Sequence, residues 1–475
     1  MKRQHIILIL TDQQRYDTIN ALGFPWMRTP NLDRLVREGT AFDNCFVTAP
    51  SCVPSRASLF NGYYPHVTGI LKNGQLWQKT WVETLAAQGW HCVNLGKMHT
   101  IPYDAKAGFH ERFVMENKDR YYEGRWFADE WDKALVARGQ VKPSRERYRD
   151  LPDYAQSLGA YDWPLPKESH ADFFLGDLAN WWLETRPKPE RLFMQIGFLG
   201  PHPPYDPVPG YADAYLNDPR VPVPDPVPSD LGDLPAFLKE KRIHDTQVDH
   251  DAVLWSMTPT AAQLRRLRCH YLANVTMIDE VLGRLLGTLE RKGYLDESLI
   301  VFASDHGDNL GDHGLSQKWS MYDTVTRVPA VVWAPGEVFA GQRRSELCQL
   351  FDLGATMLDW AGAPPPPACQ AQSLLPALRG EPWAGREQVF AEQAGDVVLT
   401  GARLFSMVRD ARWKLVHVLD SEDGQLFDVK RDPGEIDNLW NVPEQRPRRE
   451  RMLQALLEWR MRSSVETMNV MQDGR

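Results

Sequence analysis

Two acid-led pairs carry the first chemical signal in this chain. Asp12-Gln13 closes the apolar run Ile6–Thr11, and Asp305-His306 closes the run Leu299–Ser304. Two carboxylates, an amide oxygen and an imidazole suit a hard divalent cation with mostly oxygen ligands. Taken singly, an Asp at a strand end as readily caps the helix that follows. Between the pairs stands Cys52-Val53-Pro54-Ser55-Arg56. With that cysteine between them, the two pairs point to one metal site rather than to two caps. Lys97, His99, His202 and Lys318 are further candidates, although each alone reads as a solvated cation or a structural imidazole.

To meet, these residues must be carried to one end of one sheet. Ile6–Thr11, His91–Leu95, Leu192–Phe198, Leu299–Ser304 and Val328–Trp333 read as buried parallel strands. Helical patterns lie between them. Leu32, Leu35 and Val36 follow Thr29-Pro30-Asn31 at helical spacing, and Gly39 supplies a stop. A longer stripe runs through Tyr271, Val275, Ile278, Val281, Leu282, Leu285 and Leu289 to Gly293. Strands alternating with helices predict an α/β fold, a large mostly parallel central sheet flanked by helices. Ligands of such sheets bind beyond the carboxyl ends of the strands, where both acid pairs fall.

Residues 115–165, rich in charge and aromatics without a clean period, read as an insertion or lid. Pro201 to Pro228 is a long proline-rich loop, and Pro364 to Pro367 a stiff run. Past about residue 385 the pattern changes. Leu404–Val408 and Trp413–Leu419 read as an antiparallel hairpin, and Met452, Leu453, Leu456 and Trp459 mark a final helix. The expected organisation is a catalytic domain over 1–384 and a smaller α+β domain with an antiparallel sheet over 385–475. A chain of 475 residues is long enough for both.

The net charge of −9 argues against a nucleic-acid partner. A local cluster of cations can still receive a small anion. The five apolar residues Ile6–Leu10 are too few for a signal peptide's hydrophobic region or a membrane span, so a cytoplasmic protein is expected. Six cysteines scattered without CxxC spacing argue against a disulfide framework or a structural zinc site. Self-association into a homo-oligomer is left open by the sequence.

Several landmarks occur together and in order. They are Thr11–Arg15, Thr29–Asp33, Cys52–Arg56 with Gly62–His66, Gly96–His99, Pro201–Tyr205, Ser304–Asp308 with Gly311–Gly314, and Lys318. Leu426-Phe427-Asp428, Asp432-Pro433, Glu435 and Asn438-Leu439 follow near the end. In these motifs the chain resembles the type I sulfatases of the alkaline-phosphatase superfamily over nearly its whole length. The resemblance implies a sulfuric ester hydrolase, arylsulfatase-like, whose Cys52 is converted to formylglycine by a formylglycine-generating enzyme. The hydrate of that aldehyde would be the nucleophile. Asp12, Gln13, Asp305, His306 and an oxygen of modified residue 52 would bind one divalent cation. Many family members carry a second Asp where Gln13 stands and Asn where His306 stands. The Gln and His versions occur in branches that include choline sulfatases and phosphonate monoester hydrolases. Ca²⁺ is the first choice, with Mn²⁺ the alternative because an imidazole ligand suits a transition metal.

By the same resemblance Lys97 and Lys318 neutralise the sulfate oxygens, and His99 takes the proton of the second hydroxyl. His202 donates to the leaving alcohol, with Lys318 sharing that role. Arg56 holds the hydrate in place, and Ser55 serves the modifying enzyme or local hydrogen bonding. His66, Asp312 and His313 read as structural supports. Asn73, Trp77, Tyr103, Trp319 and Tyr322 lie near these motifs and are candidates for the leaving-group pocket, with plain packing as the competing reading. The expected substrate is a small-molecule, aryl or alkyl sulfate ester. The alternative is a phosphonate monoester hydrolase or phosphodiesterase with the same modified cysteine and metal. Lys97-Met98-His99 favours the sulfatase, because the phosphonate-cleaving branch commonly lacks that Lys and His. A phosphatase with a Ser or Thr nucleophile, or a non-enzymatic binding protein, fits the motifs less well.

Overall fold

The computed structural model describes residues 4–120, 128–225 and 234–470. Residues 1–3, 121–127 of the expected lid and 226–228 of the proline-rich loop lie outside the described residues.

Among the described residues nine strands form the main sheet. They are β1 (His5–Asp12), β2 (Thr40–Phe46), β3 (His91–Gly96), β4 (Glu111–Val114), β5 (Leu192–Pro201), β6 (Ser298–Ser304), β7 (Arg327–Val328), β8 (Ala330–Trp333) and β9 (Gln342–Gln349). Their order is β4-β3-β5-β1-β6-β8-β2-β7, with β9 also pairing β2. β4, β3, β5, β1 and β6 are mutually parallel, as the sequence predicts. The run Val328–Trp333 does not follow that expectation. Pro329, which lacks an N–H to give to a ladder, separates β7 from β8. β8 then runs antiparallel to both β6 and β2. A run buried on both faces shows burial but not direction, which explains the difference.

Alternation along β1 splits the core. Ile6, Leu8 and Leu10 pack into one layer and Ile7 and Ile9 into the other. Helix α1 (Pro30–Glu38), helix α2 (Cys52–Asn61), helix α3 (Ala171–Thr185) and helix α4 (Ala261–Arg291) cover the sheet. The apolar stripe of α4 sits in the Ile7/Ile9 layer with α3. α4 opens with a capping box in which Thr260 and Gln263 satisfy each other's backbone amides. Its Asp279 accepts from the Asn31 and Leu32 amides at 3.1 and 2.7 Å, so α4 caps α1.

A second sheet is an antiparallel meander of β10 (Val389–Ala394), β11 (Leu404–Arg409), β12 (Trp413–Val418) and β13 (Gly424–Asp428). Helix α5 (Arg446–Glu466) lays Met452, Leu456 and Trp459 against it. The sheet is tied to the first one by buried charge. Lys414 Nζ lies 2.9 Å from Asp323 and 2.6 Å from Glu435, and Arg409 Nη1 is 2.9 Å from Asp323. His66 bridges Glu392 on β10 (2.6 Å) and Ser463 on α5 (2.7 Å). It is a structural support, as expected.

Candidate active site

β1 and β6 are adjacent and in register from His5↔Ser298 to Thr11↔Ser304. That register delivers Asp12 and Asp305 to the same sheet end. The backbone then turns sharply at Gln13, whose φ of 71° lies in the left-handed region. This conformation costs of order 1–3 kcal/mol in a non-glycine residue and persists where neighbours over-determine it. Gln13 N donates to Asp305 Oδ1 (3.0 Å), Tyr271 Oη donates to Gln13 O (2.8 Å), and Gln14 N donates to Ser304 Oγ (2.8 Å).

Cys52 is the first residue of α2 and is buried. Pro54 fits in this first turn because amides there have no intrahelical acceptor. Gly62, with φ of 80°, ends the helix. Cys52 Sγ stands 3.1 Å from His306 Nε2 and 3.7 Å from Asp12 Oδ1. One donor atom from each of Asp12, Cys52, Asp305 and His306 lies within 4.8 Å of the others, and all four residues are buried.

The donor set fits a divalent cation. His306 Nδ1 is 2.9 Å from the Gly307 carbonyl, which takes the ring proton and leaves the Nε2 lone pair facing the cluster. Burial alone would lower the His306 pKa, yet Asp305 and Cys52 outweigh it and raise it. The cluster therefore attracts positive charge. Gln13 Oε1 accepts from Lys318 Nζ at 2.9 Å, and Gln13 Nε2 donates to Asp308 Oδ2 at 2.6 Å. Asp308 thus turns the Gln13 oxygen toward the site. It lies inside a motif legible in the sequence, but its role was not.

Three fixed cations surround these acids. Arg56 is fully buried, with Nε 2.7 Å from Asp305 Oδ2, Nη2 3.4 Å from Asp12 Oδ2, and Nη1 donating to Lys97 O at 2.9 Å. Lys97 Nζ is 2.6 Å from Asp12 Oδ2. Burial pushes the Asp12 carboxyl up, but Lys97, His202, Arg56 and Lys318 together hold it well below the carboxylate range. Burial opposes the charge on Lys97, yet Asp12 and Cys52 keep that ammonium ionised. Lys318 is likewise raised against burial by Cys52, Asp251 and Asp12. The two imidazoles behave oppositely. Burial and then Lys97 hold His99 well below its usual pKa, and burial and then Lys318 do the same to His202. The site therefore holds two ammonium groups, a guanidinium and two neutral rings.

Cys52, Lys97, His99, His202 and Lys318 open onto one cavity of about 570 Å³. His99 Nδ1 is buried without a hydrogen-bond partner among the described residues. His202 Nδ1 is 2.7 Å from the Pro203 carbonyl, and its Nε2 faces Lys318 Nζ at 2.8 Å. Ser55 Oγ donates to the Asp305 carbonyl, a local structural bond.

Of the leaving-group candidates, Asn73 and Trp319 line this cavity. Asn73 Oδ1 also accepts from Val53 N at 3.0 Å at the start of α2. Trp77 and Tyr103 are not in its wall. Trp77 is buried in the core, where Nε1 donates to His99 O at 2.7 Å. Tyr103 stacks on His99 with centroids 6.4 Å apart. Tyr322 lies elsewhere, stacked on His313 at 3.6 Å in a different cavity. Its sequence proximity to Lys318 misleads because the chain turns between them. Asp312 pairs with Arg15 (2.6 Å) and Arg268 (2.5 Å), away from the cavity above Cys52.

The sequence reading missed Lys72, Asn117, Arg120, Arg145, His250 and Asp251 in the cavity wall, with Asp396 beside Val397 and Val398. Arg120 and Arg145 sit in the charge-rich stretch 115–165, which was the one available signal.

Comparison with known proteins agrees with this geometry. The family described as Sulfatase matches residues 4–363, and N-sulphoglucosamine sulphohydrolase, C-terminal, matches 311–462. An arylsulfatase of Clostridium perfringens is 27% identical, covering 94% of this chain and 92% of its own length. The multifunctional alkaline phosphatase superfamily protein PehA of Trinickia caryophylli is 30% identical over 98% of this chain and 97% of its own. Among solved structures, a phosphonate monoester hydrolase from Silicibacter pomeroyi superposes with a TM-score of 0.79 at 25% identity, covering 97% of this chain and 96% of its own. The chain belongs to the sulfatase family of the alkaline-phosphatase superfamily and is a sulfuric ester hydrolase.

Proposed function

We propose that the protein hydrolyses aryl, alkyl or other small-molecule sulfate esters through a formylglycine made from Cys52, with one divalent cation bound beside it. The observation that carries this reading is the convergence of Cys52 with Asp12, Asp305 and His306 under two ammonium groups. Formylglycine at position 52, made by a formylglycine-generating enzyme, would supply an oxygen nucleophile. A cation held by Asp12, Gln13, Asp305, His306 and residue 52 would supply Lewis-acid charge, Ca²⁺ being favoured and Mn²⁺ the alternative.

The chain's own groups do the rest. Lys97 and Lys318 receive the nonbridging oxygens of the sulfate, and their charge counts most where water is excluded. Arg56 fixes both carboxylates and the Lys97 backbone, so the cradle is set before substrate arrives. Neutral His99, with a free Nδ1, takes up the proton released at residue 52. The Lys318–His202 pair delivers a proton to the leaving oxygen. The described parts of the stretch, 115–120 and 128–165, supply Arg120 and Arg145 to the wall, which supports reading them as an insertion or lid. The six cysteines are unpaired, which supports a cytoplasmic setting.

Phosphonate monoester hydrolysis is the second reading, favoured by the fold match to an enzyme of that name. Lys97 and His99 in the cavity favour sulfate. The test is the mass of the peptide covering residue 52 in active protein, with turnover of 4-nitrophenyl sulfate and of a phosphonate monoester on the same sample. An aldehyde mass and preferred sulfate cleavage, both lost in Cys52→Ala, are expected. An unmodified thiol in fully active protein overturns the mechanism, and efficient phosphonate cleavage with negligible sulfate cleavage overturns the substrate.

A further inference from the structure

Lys72, Lys97, Arg120, Arg145 and Lys318 are the lysines and arginines in the wall of the cavity above Cys52, and they are not equivalent. Lys97 and Lys318, only 3% and 1% exposed, lie deep in it against Asp12 and Gln13. Arg120 stands 2.8 Å from Asp251, and Arg145 stands 2.8 Å from Asp119. Lys72 is partly exposed, and among the described residues its Nζ has no hydrogen bond or ion pair. The wall has no carboxylate to spare for it. Asp251 is held by the two arginines. Asp396 accepts from the Val398 and Leu399 amides at 2.9 Å and from Trp319 Nε1 at 3.2 Å.

The backbone under Lys72 is pinned even though its ammonium is unpaired. Gln75 Oε1 accepts from Leu71 N at 2.6 Å and from Lys72 N at 2.9 Å. Ala394 N, at the end of β10, donates to Leu71 O at 3.0 Å, which sets Lys72 beside the wall residues Gly395–Val398. On the other side Asn73 Oδ1 accepts from Val53 N at 3.0 Å and ties the loop to the helix that carries Cys52.

We propose that Lys72 is a specificity-determining residue that receives a second anionic group, such as a carboxylate, on the alcohol part of the ester. This rests on the sulfate-ester reading above. Lys97 and Lys318 serve the sulfate oxygens at the depth of the cavity, and partly exposed Lys72 serves the part that extends toward its opening. Trp319, Val397 and Val398 supply an apolar surface for the carbon body of that alcohol. An anionic substituent exchanges water for a charge-assisted hydrogen bond, and no internal ion pair has to break to admit it. The loop is already held in place, so little ordering is left to oppose that gain. An alcohol bearing an ammonium group meets the opposite balance, repelled by Lys72 and offered no free carboxylate.

The experiment compares kcat/KM for 4-(sulfooxy)phenylacetate and 3-[4-(sulfooxy)phenyl]propionate, each against its neutral carboxamide. Methylene groups insulate the phenol from the charge, so the members of a pair differ chiefly in what they offer Lys72. Water screens a partly exposed ammonium, so wild type is expected to prefer the carboxylate by about 5-fold to 10-fold. The preference should shrink in about 1 M NaCl. Lys72→Met is expected to lose it, Lys72→Arg to keep most of it, and Lys72→Glu to reverse it. Equal kcat/KM for both members of both pairs in wild type overturns the proposal without recourse to any variant. A preference that survives in Lys72→Met overturns it as well, because the anion then binds elsewhere. Wild type that cleaves neither member of either pair, nor 4-nitrophenyl sulfate, overturns the sulfate-ester reading and this inference with it.

Discussion

Gly197→Ala tests how the scaffold places Lys97. Gly197 on β5 pairs with Gly96 on β3. A Cβ at Gly197 would overlap the Lys97 carbonyl oxygen and stand 2.7 Å from Gln195 Nε2. Gly197 is absent from the left-handed region, so alanine adds volume without backbone strain. Restoring ordinary contact requires the Lys97 carbonyl to move by about 1 Å. That oxygen accepts from Arg56 Nη1 at 2.9 Å and from Gln195 Nε2 at 3.2 Å. Weakening a hydrogen bond to a charged group costs about 1.5–3 kcal/mol. Overpacking a full core adds about 1–3 kcal/mol. The expected destabilisation is therefore about 2.5–6 kcal/mol by urea unfolding. A shift of this size in a positioning backbone is expected to lower kcat/KM for 4-nitrophenyl sulfate by about 100-fold. A variant within about 0.5 kcal/mol of wild type, the size of an ordinary surface change, and of unchanged kcat/KM would refute the reasoning.

Gly287→Ala provides the opposite case, because a Cβ there meets nothing closer than Arg291 Nη1 at 3.6 Å. In the interior of α4 it should stabilise by about 0.8–1 kcal/mol, read as a higher urea midpoint with unchanged slope. Burial pushes the Glu116 carboxyl from 4.5 up to about 7, against the pull of Arg112 and Lys97. Its proton is bound more tightly folded than unfolded, so this contribution is full below pH 4.5 and fades as pH rises through 7. Unfolding titrations should show about 3 kcal/mol of it lost across that window. Glu116→Gln should remove this slope, and an unchanged slope would contradict the assignment. Stripping divalent cations should abolish turnover and lower Tm. Readdition at 100 times Kd should return about 2.7 kcal/mol of stability, and comparing Ca²⁺ with Mn²⁺ identifies the preferred ion. Full activity in metal-free protein would exclude the proposed centre.

The sequence revealed the site better than the sheet that builds it. Asp12 and Asp305 were legible because they end strands buried on both faces, whose apolar runs stand out. β2 and β9 were not, because Thr40–Phe46 and Gln342–Gln349 carry charged and polar residues near the sheet margin. The direction of β8 was hidden because no residue type encodes it. The same contrast holds within the cavity. Lys97, His99, His202 and Lys318 belong to motifs with fixed spacing. Asp251 and Arg120 come from loops and Arg145 opens the short helix Arg145–Arg149, and long-range ion pairs hold the three together. Such pairs leave no local period. For Trp77, Tyr103 and Tyr322 the sequence left pocket and packing open, and the structure puts them outside the cavity wall because proximity along the chain does not fix proximity in space.

The cavity wall also imposes an order in time. Residues 395–398, just after β10, close one side of the space above Cys52, and Gln393 Oε1 accepts from Ser51 Oγ at 2.7 Å. Trp319 N donates to Pro50 O at 3.2 Å from another side. All of these partners lie far downstream of the helix that carries Cys52. A chain emerging from the ribosome therefore makes that helix long before it makes its cover. Position 52 lacks that wall during this interval and comes to lie at the bottom of a cavity when the second sheet docks. Slowing synthesis before residue 393 would lengthen the interval, and speeding it would shorten it.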